Sequence, residues 1–412
     1  MKLNSQFIRA QFPALCRMVN GKPAAYLDGP GGTQVPQSVI DAMSGFMRRG
    51  GSNHGGLFVT GYETDATTEA AREAMADLFH AHANEVAFGQ NMTSLTFAFS
   101  RALSRAWQPG DEVIVTWLDH DGDIMPWVLA AEDRGVKVRW LDINPADGTL
   151  RYDLLPDLLN EKTRLLAITW ASNALGSITP MRRVVRLAHD AGALVYVDAV
   201  HYTPHDLIDV QAVDCDFLVC SAYKFFGPHT GVLYGKYDLL SSIRAYKVRP
   251  APADPPGKWE TGTQSFESLA GVCAAVDYLA SLGEGTSRRA KLVDAMTGIK
   301  AHGEMISQRF LEGAREVPGL RVYGITGLDR LAERTPTFAV SLAGYSPAEV
   351  ALRLGEQGIF VWNGDYYAVA PMERLGVLDQ GGLVRIGFTH YNTEEEVDRV
   401  LQELRVLAHK RA

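Results

Sequence analysis

The sequence predicts an α/β protein with a mostly parallel central sheet, helices on both of its faces, and a smaller C-terminal α+β domain. Three observations predict it. From about Glu85, short apolar runs alternate with helical stretches. Those runs are rich in β-branched and aromatic residues, as expected of parallel strands buried on both faces. After a proline-rich break at residues 249–259, the pattern changes to a few strands between long helices.

Taken in order, VAFGQ (86–90) reads as a strand and MTSLTFAFSRALSRAW as the helix after it. DEVIVTW is a strand, WVLAAEDRG a helix and KVRWLDI a strand. RLLAITW, the helix PMRRVVRLAHDAG, then ALVYVDAV and DFLVCSAY continue the alternation. The prolines of RPAPADPPGKW forbid regular structure there, and a long helical region then runs from about Phe266 to Val317. Strands LRVYGI, FAVSLAG and LVRIGFT follow, with helices SPAEVALRLGEQG and TEEEVDRVLQELRVLA. This divides the chain into a large domain, 22–290, and a small one built from 1–21 and 291–412.

The chain has 412 residues, 46% hydrophobic and 21% charged. That is an ordinary globular composition, long enough for two domains. Forty basic residues against 48 acidic ones give a net charge of −8, which argues against nucleic-acid and anionic-membrane partners. The apolar stretches fall short of the ~20 residues that a bilayer span needs. MKLNSQFIRAQFPAL lacks the apolar stretch of a signal peptide, so the expected setting is the cytoplasm. Cys16, Cys215, Cys220 and Cys273 are scattered, without CxxC or a nearby His at ligand spacing. No disulfide framework or metal site is expected.

Ligands in parallel sheets gather at the C-terminal ends of the strands. There, one strand delivers Asp198, and the next delivers Ser221, Tyr223 and Lys224, followed by Phe225-Phe226. A lysine beside two phenylalanines is only partly solvated, which favours its neutral, nucleophilic form. Such an amine condenses with an aldehyde, and pyridoxal 5'-phosphate (PLP) is the usual one in metabolism. PLP needs a Schiff-base lysine and a carboxylate facing its pyridine nitrogen, the part that Asp198 suits. A snorkelling lysine and a helix-capping aspartate would leave the same trace. QNMTSLT (90–96) lies at a strand-to-helix turn, where the Met92 N–H and the Thr93 hydroxyl suit a phosphate; a plain Thr N-cap reads alike. His120 follows another strand end and could stack on a ring, or be an ordinary loop histidine. Asn173 follows a third strand. Arg385 sits among apolar residues, suited to a substrate carboxylate or to a structural ion pair.

Together these segments resemble the class V aminotransferases of fold-type I, and within them the cysteine desulfurase-like group. The matching stretches are YLDGPGGTQVP, NMTS, DHDGDIMPW, SNALGSITP, VDAVH, SAYKFFGP, ETGTQ and VRIGFTHYNTEEEVDRV. The resemblance implies a homodimeric PLP enzyme. Lys224 would be the Schiff-base lysine and proton shuttle, Asp198 the partner of the pyridine nitrogen, and His120 the group stacked on the ring. Met92, Thr93, Ser221 and Tyr223 would surround the phosphate, with Thr263 reaching in from the other subunit. Asn173 and Arg385 would take the substrate carboxylate, and His201 would lie near the ring hydroxyl.

Cysteine desulfurases carry a catalytic Cys in the loop before the Arg strand. Here that loop reads FVWNGDYYAVAPMERLG, with Tyr367 at the corresponding position. Without a thiolate the persulfide step has no nucleophile. The group also usually has Gln where this chain has His201, and His where it has Tyr223. Trp362, Asn363, Asp365, Tyr366 and Tyr367 are expected near the substrate side chain. The reading is therefore a β-elimination lyase or an aminotransferase acting on a small amino acid. An epimerase, a desulfurase with a displaced cysteine, and a non-catalytic PLP-binding scaffold are the alternatives.

Overall fold

The computed structural model describes residues 3–411. Among these, seven strands form the larger sheet. In spatial order they are Val86–Gly89, Gly231–Gly235, Phe217–Ser221, Leu194–Asp198, Thr163–Thr169, Glu112–Thr116 and Lys137–Leu141. Side chains along these strands alternate between two cores. Ile114, Leu166, Ile168, Val195, Val197 and Leu218 enter one. Val113, Val115, Leu165, Ala167, Tyr196 and Val219 enter the other. Burial on both faces is why the strand sequences are apolar throughout.

Gly231–Gly235, unread in the sequence, runs antiparallel to both of its neighbours. Its segment GVLYG is short and glycine-bounded, a weak strand signal. The first glycine has a specific reason: a Cβ at Gly231 would lie 2.5 Å from the backbone carbon of Asn91. The strand can thus abut the turn that opens helix Met92–Leu103.

The helix read as starting at Trp127 starts at Asp121 and runs to Arg134, with Pro126 inside it. A proline normally marks a boundary because it lacks a backbone donor, and that concealed the first turn. The single helical region expected over 266–317 is two helices, Phe266–Ala280 and Arg288–Ala314. Between them a Cβ at Gly283 would lie 2.2 Å from the Lys291 carbonyl. Helices Gln37–Arg49 and Val59–Phe79 pack against Phe266–Ala280.

The smaller sheet has four antiparallel strands among the described residues, in the order Leu320–Tyr323, Thr337–Leu342, Leu383–Gly387 and Trp362–Gly364. Phe310 of helix Arg288–Ala314 stacks on Phe338 with centroids 4.1 Å apart, in a core shared with helices Pro347–Glu356 and Glu394–Arg411. Near the start of the chain, Ile8, Phe12 and Leu15 join a core of the larger sheet, whereas Ala25 and Leu27 join that of the smaller one. Of the residues grouped above with the small domain, 3–21 thus lean on the larger core as well. Among the described residues no helix is long and apolar enough to cross a membrane.

Candidate active site

A cavity of about 650 Å³ opens at the C-terminal ends of the central strands, closed on one side by the loop after Trp362–Gly364. Lys224 follows strand Phe217–Ser221 by one turn of 3-10 helix, Ala222–Lys224. Phe225 and Phe226 beside it are fully buried. Its ammonium donates to the Pro30 carbonyl at 2.5 Å and lies 4.9 Å from the Tyr223 ring centre. Burial, aided by the Arg385 charge, pulls its pKa down to about 7, against the opposing pull of Asp198 and Asp28.

Asp198 ends the strand Leu194–Asp198 and lines the cavity. Its Oδ1 accepts from the Val200 N–H at 2.8 Å. Burial raises its pKa to about 6 although Lys224 pulls it back. Asp119 and Asp123 are also buried, and burial together with the neighbouring carboxyls pushes both well above the carboxylate range. Among the described residues neither oxygen of Asp123 has a hydrogen-bond partner of good geometry. Three buried carboxyls this close cannot all ionise, so the negative charge settles on Asp198.

His120 caps helix Asp121–Arg134. Its Nδ1 accepts from the Gly122 N–H at 2.9 Å, so the neutral ring carries its proton on Nε2. Burial, with Lys224 and Arg385 nearby, lowers its pKa to about 4. A Cβ on Gly122 would lie 2.7 Å from Thr93 Oγ1 and 3.1 Å from Met92 Sδ. A glycine is what lets these two helix starts meet.

At the Met92–Leu103 helix the cap is Asn91, whose side chain accepts from the Ser94 N–H at 2.9 Å. The Met92 amide, expected to face a phosphate, instead donates to Ser221 Oγ at 2.9 Å. Buried Ser221 therefore sits behind the cavity wall and braces it. The Thr93 amide keeps no partner among the described residues, and Thr93 lines the cavity.

Arg385, in the strand Leu383–Gly387, is 4% exposed. Its Nη1 donates to the Asn173 carbonyl at 3.1 Å, and its Cζ lies 4.5 Å from the Tyr366 ring centre. It forms no ion pair among the described residues, and its Nε has no partner. The structural ion pair weighed above is therefore not what holds it. Burial lowers its pKa to about 10. Asn173 Nδ2 donates to the Tyr366 carbonyl at 3.1 Å. His201 lines the cavity, pairs with Thr335 Oγ1 at 3.1 Å, and is held neutral chiefly by burial. Tyr223 stacks on His229.

The loop after the edge strand carries Tyr366 and Tyr367, both with positive φ, 60° and 57°. The Tyr367 ring stacks on His120 with centroids 5.7 Å apart, and its carbonyl accepts from the Asp121 N–H at 2.7 Å. Besides Ser221, the predicted residue found outside the cavity is Thr263: it is exposed and lines a second cavity with Gln90, Ser94 and His229.

Sequence reasoning missed Asp28, Pro30, Gly31, Asp121, Asp123 and Met125. YLDGPGGTQVP held a signal for the first three, since its glycines mark a close backbone approach. A Cβ on Gly31 would lie 2.3 Å from the Trp362 indole nitrogen.

These residues suit PLP by their chemistry. There is a half-neutral lysine, one ionised carboxylate, a flat neutral ring, a free amide at a helix start, and an arginine with open donors. The sequence pattern of the aminotransferase class V family matches residues 25–400. A cysteine desulfurase of Pectobacterium atrosepticum is 35% identical over 413 residues, covering 96% of each chain. One from Dickeya dadantii is 34% identical, covering 96% of this chain and 95% of its own. The crystal structure of the cysteine desulfurase CsdA from Escherichia coli superposes with a TM-score of 0.86 at 27% identity, covering 100% of this chain and 99% of that one. The fold is that of the fold-type I PLP enzymes, as the resemblance implied. A lysine, an aspartate and an arginine converge in one cavity of that fold, and the chain belongs to the class V aminotransferases, which are PLP-dependent enzymes.

Proposed function

We propose that the protein holds an amino acid by its carboxylate at Arg385, takes the Cα proton on Lys224 Nζ, and completes a β-elimination or a transamination without a sulfur-carrying cysteine. When bound, PLP supplies an aldehyde for an amine and a ring that draws electron density from Cα. The observation that carries the reading is a buried lysine, pulled to about pKa 7, lining one cavity with Arg385 and Asp198. Near neutrality such an amine both gives and takes a proton readily.

Asp198 would hold the pyridine nitrogen's proton, and His120 would cover the ring. Thr93 and Tyr223 would hold the phosphate, with Ser221 bracing the Met92 turn behind them, and His201 and Asn173 the ring-hydroxyl side. Buried Arg385 would grip the carboxylate through its open donors. The loop through Tyr366 and Tyr367 would keep water from Nζ.

The relatives' names invite a desulfurase reading, which needs a thiolate. Tyr367 stands at the loop tip, and among the described residues no cysteine lines the cavity. Burial pushes the thiols of Cys215 and Cys220 far up and that of Cys273 up to about 11. Four free thiols also suit a reducing compartment such as the cytoplasm.

We further propose a homodimer. Met47, Leu57, Phe58, Val59 and Tyr62 are exposed on adjoining segments, an apolar surface suited to a second copy. Thr263, absent from its own chain's site, would complete the partner's. A sizing column with light scattering should return twice the 45.1 kDa chain mass.

Borohydride reduction of the PLP-loaded protein should attach the cofactor to the peptide bearing Lys224, and Lys224→Ala should abolish turnover. An unchanged rate in that variant overturns the reading. Keto-acid, ammonia and sulfide release across a panel of amino acids identifies the reaction. Sulfide from L-cysteine that vanishes in a cysteine-free variant restores the desulfurase, and silence across the panel leaves a non-catalytic scaffold.

A further inference from the structure

The cavity wall made by the loop Trp362–Tyr367 and the start of helix Asp121–Arg134 carries two carboxylates, Asp121 and Asp365. Each spends one oxygen on the backbone. Asp121 Oδ2 accepts from the Val369 N–H at 3.2 Å, and Asp365 Oδ1 accepts from the Tyr367 N–H at 2.9 Å. Their second oxygens have no hydrogen-bond partner among the described residues, and neither carboxylate forms an ion pair there. Burial raises the pKa of Asp121 against the Val369 N–H, and the like charge of Asp365 raises it further. The Trp362 and Tyr367 rings, both more than half exposed, line the same cavity with Met125. So does Tyr366, 8% exposed, whose buried hydroxyl has no hydrogen-bond partner. Two carboxylates and two open aromatic rings therefore face space that no group among the described residues fills, with the Tyr366 ring behind them.

We propose that this wall is a side-chain subsite selecting amino acids that end in an ammonium or guanidinium group and rejecting those that end in a carboxylate or sulfinate. A cation would gain from both carboxylates and from the faces of the two rings. An anion would meet two like charges while Arg385 is already engaged by the α-carboxylate, and that repulsion supplies the discrimination. The inference rests on the reading above, in which Arg385 takes the α-carboxylate and leaves the side chain to this wall.

L-ornithine, L-norvaline and L-glutamate have side chains of similar length and differ in terminal charge. The PLP-loaded enzyme is titrated with each, following the cofactor's absorbance to obtain an apparent Kd independent of turnover. Ornithine should bind about tenfold tighter than norvaline, and glutamate weaker than both. In Asp121→Asn and Asp365→Asn the preference should shrink toward parity. Equal affinities for the three in the unaltered enzyme overturn the inference while leaving an amino-acid enzyme standing. A ranking unchanged in both variants overturns it too. A spectrum that answers to no amino acid overturns this inference together with the proposed function.

Discussion

Lys224 shows how little of the chemistry lies in a side chain and how much in its burial. At pH 7 an ordinary lysine of pKa 10.5 is neutral in about one molecule in three thousand, whereas this one is neutral in about half. In cofactor-free protein, acylation of Lys224 followed by mass spectrometry should therefore reach half its limiting rate near pH 7. Linkage adds a second signature. The unfolded chain keeps this proton up to about pH 10.5 and the native chain only up to about 7, so the lysine destabilises the native state most below pH 7. Lys224→Met should raise the urea midpoint of the cofactor-free protein there, with the gain fading as pH rises from 7 toward 10.5. At Arg385 the planar guanidinium gives the site a fork that an ammonium cannot copy. Arg385→Lys should raise KM by about tenfold or more, the worth of a charged hydrogen bond of ~1.5–3 kcal/mol. Both residues were legible in the sequence, because a cation among apolar neighbours is rare. Asp123 was not, since nothing local distinguishes it from the surface aspartates.

Among the elements, the strands were legible and the turns between them only partly so. Runs such as VIVT and LLAIT betray burial on both faces. GVLYG does not, and its role depends on Asn91, far away in sequence. The helix start at Asp121 was hidden by Pro126, and with it Asp121 itself, which anchors the loop bearing Tyr366 and Tyr367. That loop holds two consecutive non-glycine residues in the left-handed region, a strain of order 1–3 kcal/mol each. Asn173, Asp121 and the stack on His120 hold it down. Asn173→Ala removes one of these tethers. Hydrogen exchange at the amides of residues 362–368 should then quicken about fivefold, matching a bond of ~1 kcal/mol. Unchanged protection would mean that the loop is held from elsewhere.

For the molecule as a whole, the two-part architecture was legible and the part played by the first residues was not. A short amphipathic start gives no sign of which core it joins. Phe12 meets Phe226, Tyr278 and Tyr391 edge-on, with centroids 5.1–6.0 Å apart, just behind the turn that carries Lys224. Phe12→Ala should lower stability by about 3–5 kcal/mol, seen as a fall in the urea midpoint, and should loosen PLP retention though no atom of Phe12 reaches the cavity. The antiparallel strand Gly231–Gly235 carries a consequence for how the chain is made. Residues 86–89 leave the ribosome early, yet among the described residues their neighbour in the sheet is this strand, synthesised much later. Until it arrives, the strand Val86–Gly89 has no strand to pair with, although helix Met92–Leu103 can already pack on helix Asp121–Arg134. A nascent chain halted before Gly231 should thus be sensitive to protease around residues 86–89, and one halted after Gly235 with room to clear the tunnel should be protected.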